Sequence, residues 1–360
     1  MKILLVVYDN DSYMSYFPLG TGYIAAVLRQ KGYEVEIYNQ DVWHYPNEHL
    51  TKYLKDNHFD IVGVKVIGGY WQYRQLLAIS KAINAVPNRP VFILGGQGPS
   101  PEPEYFLEIS GADIVCIGES EISLPNLLSA LGSGRSLSSV RGIVYKDEGK
   151  YIRTQRENVI KDIDSIPMPA WDLFPMTHYS LIRYPGVKPN ERAFSILTGR
   201  GCLYKCNFCY RIEAGYRGRS TEAIIEEIKR LKQDYHISFF QFADELFMST
   251  PDRTRELCED IISAGVNIRF FCNGRLNIAH IDLLQLMKRA GCVFVNYGIE
   301  SLDDDILKIM NKQLTVNQIV EGIENTIAAG IHPGLNIIFG NIGETREILM
   351  KGVDFLLKYN

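Results

Sequence analysis

Long apolar runs are missing from this 360-residue chain. A helix needs about 20 consecutive apolar residues to cross a bilayer core, so no membrane partner is expected. The first apolar run, Ile3–Val7, gives way to Tyr8-Asp9-Asn10-Asp11, too short and too quickly polar for a signal peptide. An excess of basic charge is missing as well. Lys and Arg number 38 against 42 Asp and Glu, a formal net charge of −4, so no bulk attraction to nucleic acid or to anionic lipid is expected. Low-complexity repeats are absent. Cysteine is scarce and unevenly placed, seven in all, with Cys202, Cys206 and Cys209 crowded together. That distribution argues against a secreted disulfide framework and for a reducing, cytoplasmic setting. What remains is the profile of an enzyme acting on a small molecule, with 46% hydrophobic residues, ample for two cores.

Residues 1–131 alternate short β-branched runs with helical periodicity. Ile3–Val7, Val35–Tyr38, Ile61–Val66, Val91–Leu94 and Ile114–Ile117 read as strands, and Gly20–Lys31, Tyr70–Ala85 and Glu121–Leu131 as helices. Five βα units predict a doubly wound parallel sheet with its ligand beyond the strands' C-terminal ends, near the first and third strands. A polar stretch then leads to a hairpin, Gly142–Tyr145 with Tyr151–Thr154, and to the proline-stiffened connector Ile166–Pro175, whose large apolar side chains offer docking contacts. From Phe194 a second βα series begins, with strands near Phe194–Leu197, Ser238–Ala243, Ile268–Cys272, Val293–Tyr297 and Leu335–Phe339. Thr250-Pro251-Asp252 marks one helix start, and Thr315-Val-Asn-Gln318 is a capping box before another. Repeated βα units imply a parallel barrel or part of one, with its chemistry on the loops after the strands. The expected division is 1–140, then a hairpin and connector over 141–190, then 191–360.

The three crowded cysteines lie in Thr198-Gly-Arg-Gly-Cys-Leu-Tyr-Lys-Cys-Asn-Phe-Cys-Tyr210, directly after a strand. Soft thiolates suit iron–sulfur clusters and zinc. A closed zinc site usually draws on two ligand pairs, and no second pair at such spacing occurs elsewhere. Three ligands leave one metal position open. Arg200, Lys205, Arg211, Arg217 and Arg219 surround the loop; they either depress the thiol pKa values or form a solvated face. Cys116, Cys258, Cys272 and Cys292 read as small buried hydrophobes.

The Cys-x3-Cys-x2-Cys spacing, with Phe208 before the last cysteine, resembles the signature of radical S-adenosylmethionine (SAM) enzymes. Pro18-Leu-Gly20, Leu94-Gly-Gly-Gln-Gly98, Ile117-Gly-Glu-Ser-Glu121 and Pro169-Ala-Trp-Asp-Leu-Phe174 follow in order. After the barrel strands come Phe242-Ala-Asp-Glu-Leu-Phe247, Asn273-Gly-Arg275, Tyr297-Gly-Ile-Glu-Ser301 and Ile338-Phe-Gly-Asn-Ile-Gly-Glu-Thr345. Taken together the chain resembles the cobalamin-binding radical SAM family over nearly its whole length. That resemblance implies an α/β protein: a doubly wound cobalamin-binding sheet of flavodoxin-like order, followed by a partial (β/α)6 radical SAM barrel. It implies a 4Fe-4S cluster on Cys202, Cys206 and Cys209, with SAM on the fourth iron.

The resemblance also implies roles for other residues. Asp244 or Glu245 would accept from the SAM amino group, Glu300 from ribose hydroxyls, and Arg275 would pair with the SAM carboxylate or an anionic substrate. Phe208 would flank the adenine, and Gly340 and Gly343 would admit it close to the backbone. The ordinary alternative for the three acids is a strand-end salt bridge or helix cap. Gly68, Gly69, Gly95 and Gly96 would allow close approach of the corrin or its nucleotide tail. The family's wider fold relatives carry an axial histidine in the loop after the first strand, which here reads Tyr8-Asp-Asn-Asp-Ser-Tyr13; the cobalt is therefore expected base-off and His-off, with His44, His49 and His58 as surface or packing residues. The implied activity is methyl transfer to an unactivated carbon through a 5'-deoxyadenosyl radical, on a small-molecule or natural-product substrate, with an electron donor such as flavodoxin or ferredoxin. The alternatives are radical cyclisation or rearrangement without methyl transfer, and a non-catalytic cobalamin sensor. No second cysteine cluster in residues 1–131 speaks for a methylthiotransferase. Only five barrel strands are counted where the family has six, so a C-terminally incomplete chain is expected.

Overall fold

The computed structural model describes residues 1–358. The chain packs as two units, Met1–Tyr179 and Ser180–Asn360.

In the first unit, β1 (Lys2–Val7), β2 (Glu34–Asn39), β3 (Ile61–Lys65), β4 (Val91–Gly95) and β5 (Ile114–Cys116) run parallel. The hairpin β6 (Ile143–Asp147) and β7 (Lys150–Arg153) extends the same sheet antiparallel, giving the order β2-β1-β3-β4-β5-β6-β7. Successive strand side chains point to opposite faces, and both faces are covered. Leu4, Val6, Val62, Val64, Phe92 and Leu94 meet Leu50, Leu54, Leu76, Ile79 and Ile83 on one side. Ile3, Leu5, Ile61 and Ile93 meet Ala25, Leu28, Leu124, Leu127 and Leu128 on the other. Each fully buried aliphatic side chain contributes on the order of 2 kcal/mol, which is why these strands are continuous apolar runs rather than alternating ones. The order reverses between β1 and β3, so their C-terminal ends form the switch-point crevice.

Four α-helices beyond those predicted complete this unit: Gln40–Trp43, Asn47–Asp56, Pro103–Ser110 and Met176–Tyr179. The connector is ordered against the same unit. Phe174 packs edge-on to Phe17 at 4.9 Å, Trp171 is buried, and Arg29 pairs with Asp172 at 2.8 Å.

The second unit carries a parallel sheet of β8 (Ala193–Ile196), β11 (Phe239–Phe242), β12 (Arg269–Gly274), β13 (Cys292–Glu300) and β14 (His332–Ile337), in the order β14-β13-β12-β11-β8. A separate antiparallel pair, β9 (Gly199–Cys202) and β10 (Gly215–Gly218), follows β8. Helix starts obey the cap signals. Thr250 accepts from the Arg253 amide ahead of Pro251, and Thr315 with Gln318 forms the reciprocal capping box. The last strand begins at His332, ahead of the expected Leu335. Pro333 and Gly334 disguise it, and its edge position tolerates a proline without an N–H. Among the described residues no helix is long and apolar enough to cross a membrane.

Candidate functional site

The cysteines sit at the tip of a hairpin that the sequence reading did not anticipate. Strand β9 pairs with β10 so that Cys202 faces Gly215 and Gly199 faces Gly218. Gly201 has φ +88°, and a Cβ there would collide with the Gly215 carbonyl; only glycine lets the two strands close at this point. The loop over residues 203–214 carries Cys206, which is buried, and Cys209, which is exposed, while Cys202 at the strand end is half-buried; all three are free thiols. The Cys209 amide donates to the Cys206 carbonyl at 3.3 Å, closing a turn through Phe208. The Cys209 thiol is pushed up, first by partial burial and then by the Cys202 and Cys206 thiols, while Arg211 and Lys312 act in the opposite direction. The three thiols thus share one electrostatic neighbourhood. Among the described residues, no three His, Cys, Asp or Glu side chains stand in closed metal-binding geometry. As a donor set, three soft thiols, one at the strand end and two on the following turn, fit three corners of an iron–sulfur cluster.

Asp244 and Glu245, in the loop after β11, fasten the base of this hairpin. One Asp244 oxygen accepts from the Thr198 amide at 2.7 Å and the other from the Thr198 hydroxyl, while Glu245 accepts from the Gly201 amide at 2.9 Å. Asp244 is fully buried. Burial pushes its carboxyl up to about 7, against the lowering pull of the Thr198 and Gly199 hydrogen bonds.

The tip is fastened by a second element, the turn Ile309–Gln313. Asn207 donates through its amide to the Met310 carbonyl at 3.1 Å and through Nδ2 to the Ile309 carbonyl at 2.7 Å. Asn311 returns a bond to the Lys205 carbonyl at 2.7 Å. The turn can do this because Asn311 and Gln313 both adopt left-handed φ, 51° and 52°. Arg275, after β12, is buried and donates to the carbonyls of Lys312 and Gln313, while its guanidinium lies 3.5 Å from the centre of the Tyr204 ring. Glu300, at φ +63° where the β13–β14 register shifts, is tied to buried Lys312 at 2.8 Å, and the Lys312 ammonium lies 5.7 Å from the Phe208 ring centre.

Cys202, Cys206, Cys209, Phe208, Asp244, Glu245, Arg275 and Glu300 therefore form one connected assembly. Thr198, Asn207, Asn311 and Lys312 belong to it and were missed. Thr198 and Asn207 lie inside the quoted cysteine motif without a signal of their own, and for Asn311 and Lys312 the sequence signal is the Asn-Lys-Gln run after Met310, where asparagine suits a left-handed turn. Gly340 and Gly343 lie in the loop after β14 at φ 83° and 84°; the Gly340 amide donates to Glu344, and Gly343 faces Ile306 and Ile309.

In the first unit the glycine positions line the ends of β3 and β4. Gly96 has φ +101°, and a Cβ there would stand 2.5 Å from the Val66 carbonyl oxygen. The two loops are further laced by Val66 N to Gly95 O at 2.9 Å and Gly98 N to Val66 O at 3.1 Å. Gly69, at φ +130°, starts the following helix, and Gly68 faces open space. Large apolar side chains stand exposed in the segments that follow β1, β2 and β3: Tyr13, Tyr16 and Ile67 in loops, Trp43 at the end of a short helix and Tyr70 at the start of a longer one. Exposed apolar side chains concentrated at a sheet's ligand edge are the kind of surface that binding sites use. His44 is an exposed surface residue, as expected. Its Nδ1 pairs with Asp9 at 2.8 Å, which brings an imidazole to the loop after β1, while buried Asp41 holds the same loop through the Asn10 amide and side chain at 2.9 Å. His49 stacks on Tyr45 at 4.3 Å, a packing role.

Comparison with known proteins gives two family matches: residues 196–356 to the radical SAM superfamily and residues 6–128 to the B12 binding domain. An uncharacterized methyltransferase, PH0819, of Pyrococcus horikoshii is 30% identical over 99% of this chain and 78% of its own length. The anaerobic magnesium-protoporphyrin IX monomethyl ester cyclase of Rubrivivax gelatinosus is 29% identical over 92% of this chain and 60% of its own. Among solved structures, the cobalamin-dependent SAM radical enzyme OxsB, with aqua-cobalamin and SAM bound, superposes with a TM-score of 0.83 at 24% identity, over 99% of this chain and 51% of that one. The fold is shared, and the chain spans about half the length of OxsB.

Proposed function

We propose, from the premise that this chain belongs to the cobalamin-binding radical SAM family, that it transfers a methyl group to an unactivated carbon of a small-molecule or natural-product substrate. Its cofactors are a 4Fe-4S cluster, SAM and cobalamin. When bound, these supply one-electron cleavage of SAM to a hydrogen-abstracting radical and a transferable methyl group.

The chain's own residues hold and shield. Cys202, Cys206 and Cys209 are the cluster ligands, presented by a hairpin clamped at its base by Asp244 and Glu245 and at its tip by the turn Ile309–Gln313. With Asp244 committed to Thr198, Glu245 is the acid at this strand end with the more solvent-accessible carboxylate for the SAM amino group. Glu300 takes the ribose, Phe208 and the Gly340–Gly343 loop flank the adenine, and the ends of β3 and β4 at Gly68, Gly69, Gly95 and Gly96 receive the corrin and its tail. A low-potential donor such as flavodoxin or ferredoxin supplies electrons, and the setting is cytoplasmic, with neither nucleic acid nor membrane as partner.

The observation that carries this reading is the doubly fastened hairpin with three free thiols at its tip. Anaerobic reconstitution is expected to load about four irons per chain, and the triple variant C202A/C206A/C209A to load none; equal iron in both ends the assignment. Incubation with methyl-labelled SAM and reductant then separates the two reactions. Label in the product supports methyl transfer. 5'-Deoxyadenosine without label transfer favours the second reading, radical cyclisation, which the cyclase relative suggests.

A further inference from the structure

Arg275 is a buried guanidinium whose protein partners are all neutral. Its Nε donates to the Asn277 side-chain Oδ1 at 3.2 Å, its Nη2 to the backbone carbonyls of Lys312 and Gln313, and its face covers Tyr204. The remaining terminal nitrogen, Nη1, is directed at the Cys206 sulfur at 3.9 Å. The other buried cations of this unit differ. Lys312 is paired with Glu300 and Arg219 with Glu227, whereas no carboxylate among the described residues pairs with Arg275. An uncompensated buried cation is costly, and arginine cannot shed its proton to escape the cost. The negative charge that answers it has to be supplied by the cysteine loop.

We propose that Arg275 is the counter-cation of the 4Fe-4S cluster: a positioning residue whose fixed charge beside the Cys206 sulfur raises the cluster's reduction potential. The inference rests on the cluster reading above. Reduction adds one electron, taken from the low-potential donor, and leaves the cluster one unit more negative. A fixed cation beside a ligand sulfur therefore stabilises the reduced state more than the oxidised one. The carbonyls of Lys312 and Gln313 hold the guanidinium in place without neutralising it, so its charge is directed to the loop. This assignment replaces the expectation that Arg275 pairs with the SAM carboxylate.

The test compares full-length wild type, Arg275→Lys and Arg275→Gln, each reconstituted anaerobically, with iron counted and the midpoint potential read by EPR-monitored redox titration in the absence of SAM. EPR of the reduced cluster reports the loaded fraction alone, so incomplete loading does not hide the result. The glutamine variant is expected to shift the reduction equilibrium at least tenfold toward the oxidised cluster, 59 mV more negative for one electron, while the lysine variant stays within threefold of wild type. A cluster that loads in the lysine variant and fails in the glutamine variant also supports the charge role. Equal potentials in wild type and the glutamine variant overturn it. A lysine variant that falls as far as the glutamine variant, or loss of the cluster from both, assigns Arg275 to anchoring the loop instead. A drop in SAM affinity at unchanged potential returns it to the carboxylate. A wild type that binds no iron fails earlier, at the cluster reading itself.

Discussion

Replacing Asp244 with asparagine should alter how the protein's stability depends on pH, and the size of the effect follows from one clamp. In the fold the carboxyl is fully buried with a pKa of about 7, against an ordinary value of 3.8. The displacement is about 3 units at 1.36 kcal/mol each, a ceiling of about 4 kcal/mol. Because the folded-state value is raised, the native protein retains a proton that the unfolded chain has already released between the two values. The contribution is therefore fully present below pH 4 and is lost as pH rises through 7. Asparagine keeps the shape and offers an oxygen to the Thr198 amide and an N–H to its hydroxyl, but it does not titrate. Thermal melts of both proteins, followed at pH 5, 6, 7 and 8 before cluster loading, should show the variant gaining on wild type as pH rises. From pH 5 upward the melts sample about 2 of these units, about 2.7 kcal/mol, so at about 2–4 °C per kcal/mol for a unit of this size the gain between pH 5 and pH 8 reaches at most about 11 °C. A difference in melting temperature that stays constant to within about 1 °C from pH 5 to 8 would refute the buried-carboxylate argument.

Gly96→Ala should destabilise the first unit by about 1–3 kcal/mol, because its positive φ and the Val66 carbonyl both reject a Cβ. Retention of hydroxocobalamin in equilibrium dialysis should fall with it, whereas Gly68→Ala, which meets no protein atom, should leave the stability unchanged; equal loss of stability in the two variants would remove the special role of Gly96. For the Glu300–Lys312 pair, Lys312→Met alone strands a buried carboxylate and should cost about 3–5 kcal/mol. Adding Glu300→Gln should recover at least half of that loss, and strictly additive costs in this double-mutant cycle would show that the pair is not coupled.

The parallel sheets were legible because burial on both faces writes them as runs. Ile3–Val7 and Val91–Leu94 carry no polar residue to confuse the period. The same logic explains what was lost. The helix Asn47–Asp56 buries little more than Leu50 and Leu54, too thin a stripe to stand out among Lys52, Lys55 and Asp56. The short helix Pro103–Ser110 starts within a proline-rich run that reads as a turn. Strand β14 is held by edge pairing despite Pro333 close to its start, and tertiary pairing overrides propensity there. The hairpin of β9 and β10 is harder still. Gly199-Arg-Gly-Cys202 and Gly215-Tyr-Arg-Gly218 have almost no strand propensity, and they pair because glycine permits the approach.

The candidate site divides along the same line. Ligand chemistry is carried by residue type, so three thiols at close spacing announced themselves without any knowledge of the fold. Support is carried by position, and it comes from far away in sequence: Asn311 reaches Lys205 across 106 residues, Asn207 reaches Ile309 across 102, and Arg275 meets Cys206 across 69. Nothing local marks such bonds, since most are made to backbone carbonyls that every residue owns. Arg275 shows what this changes. Read from its type beside Asn273-Gly274, it is a cation for a carboxylate; read from its partners, it is a fixed charge held by neutral groups with one nitrogen directed at the Cys206 sulfur, which is where we propose the answering negative charge. The acids separate in the same way, because Asp244 spends both oxygens on Thr198 while Glu245 spends one on Gly201. Two adjacent carboxylates that sequence could not rank are thus separated by their hydrogen bonds alone: the buried one holds the hairpin with both oxygens, and the more accessible one keeps an oxygen outside the hairpin, the one we propose for a ligand's amino group.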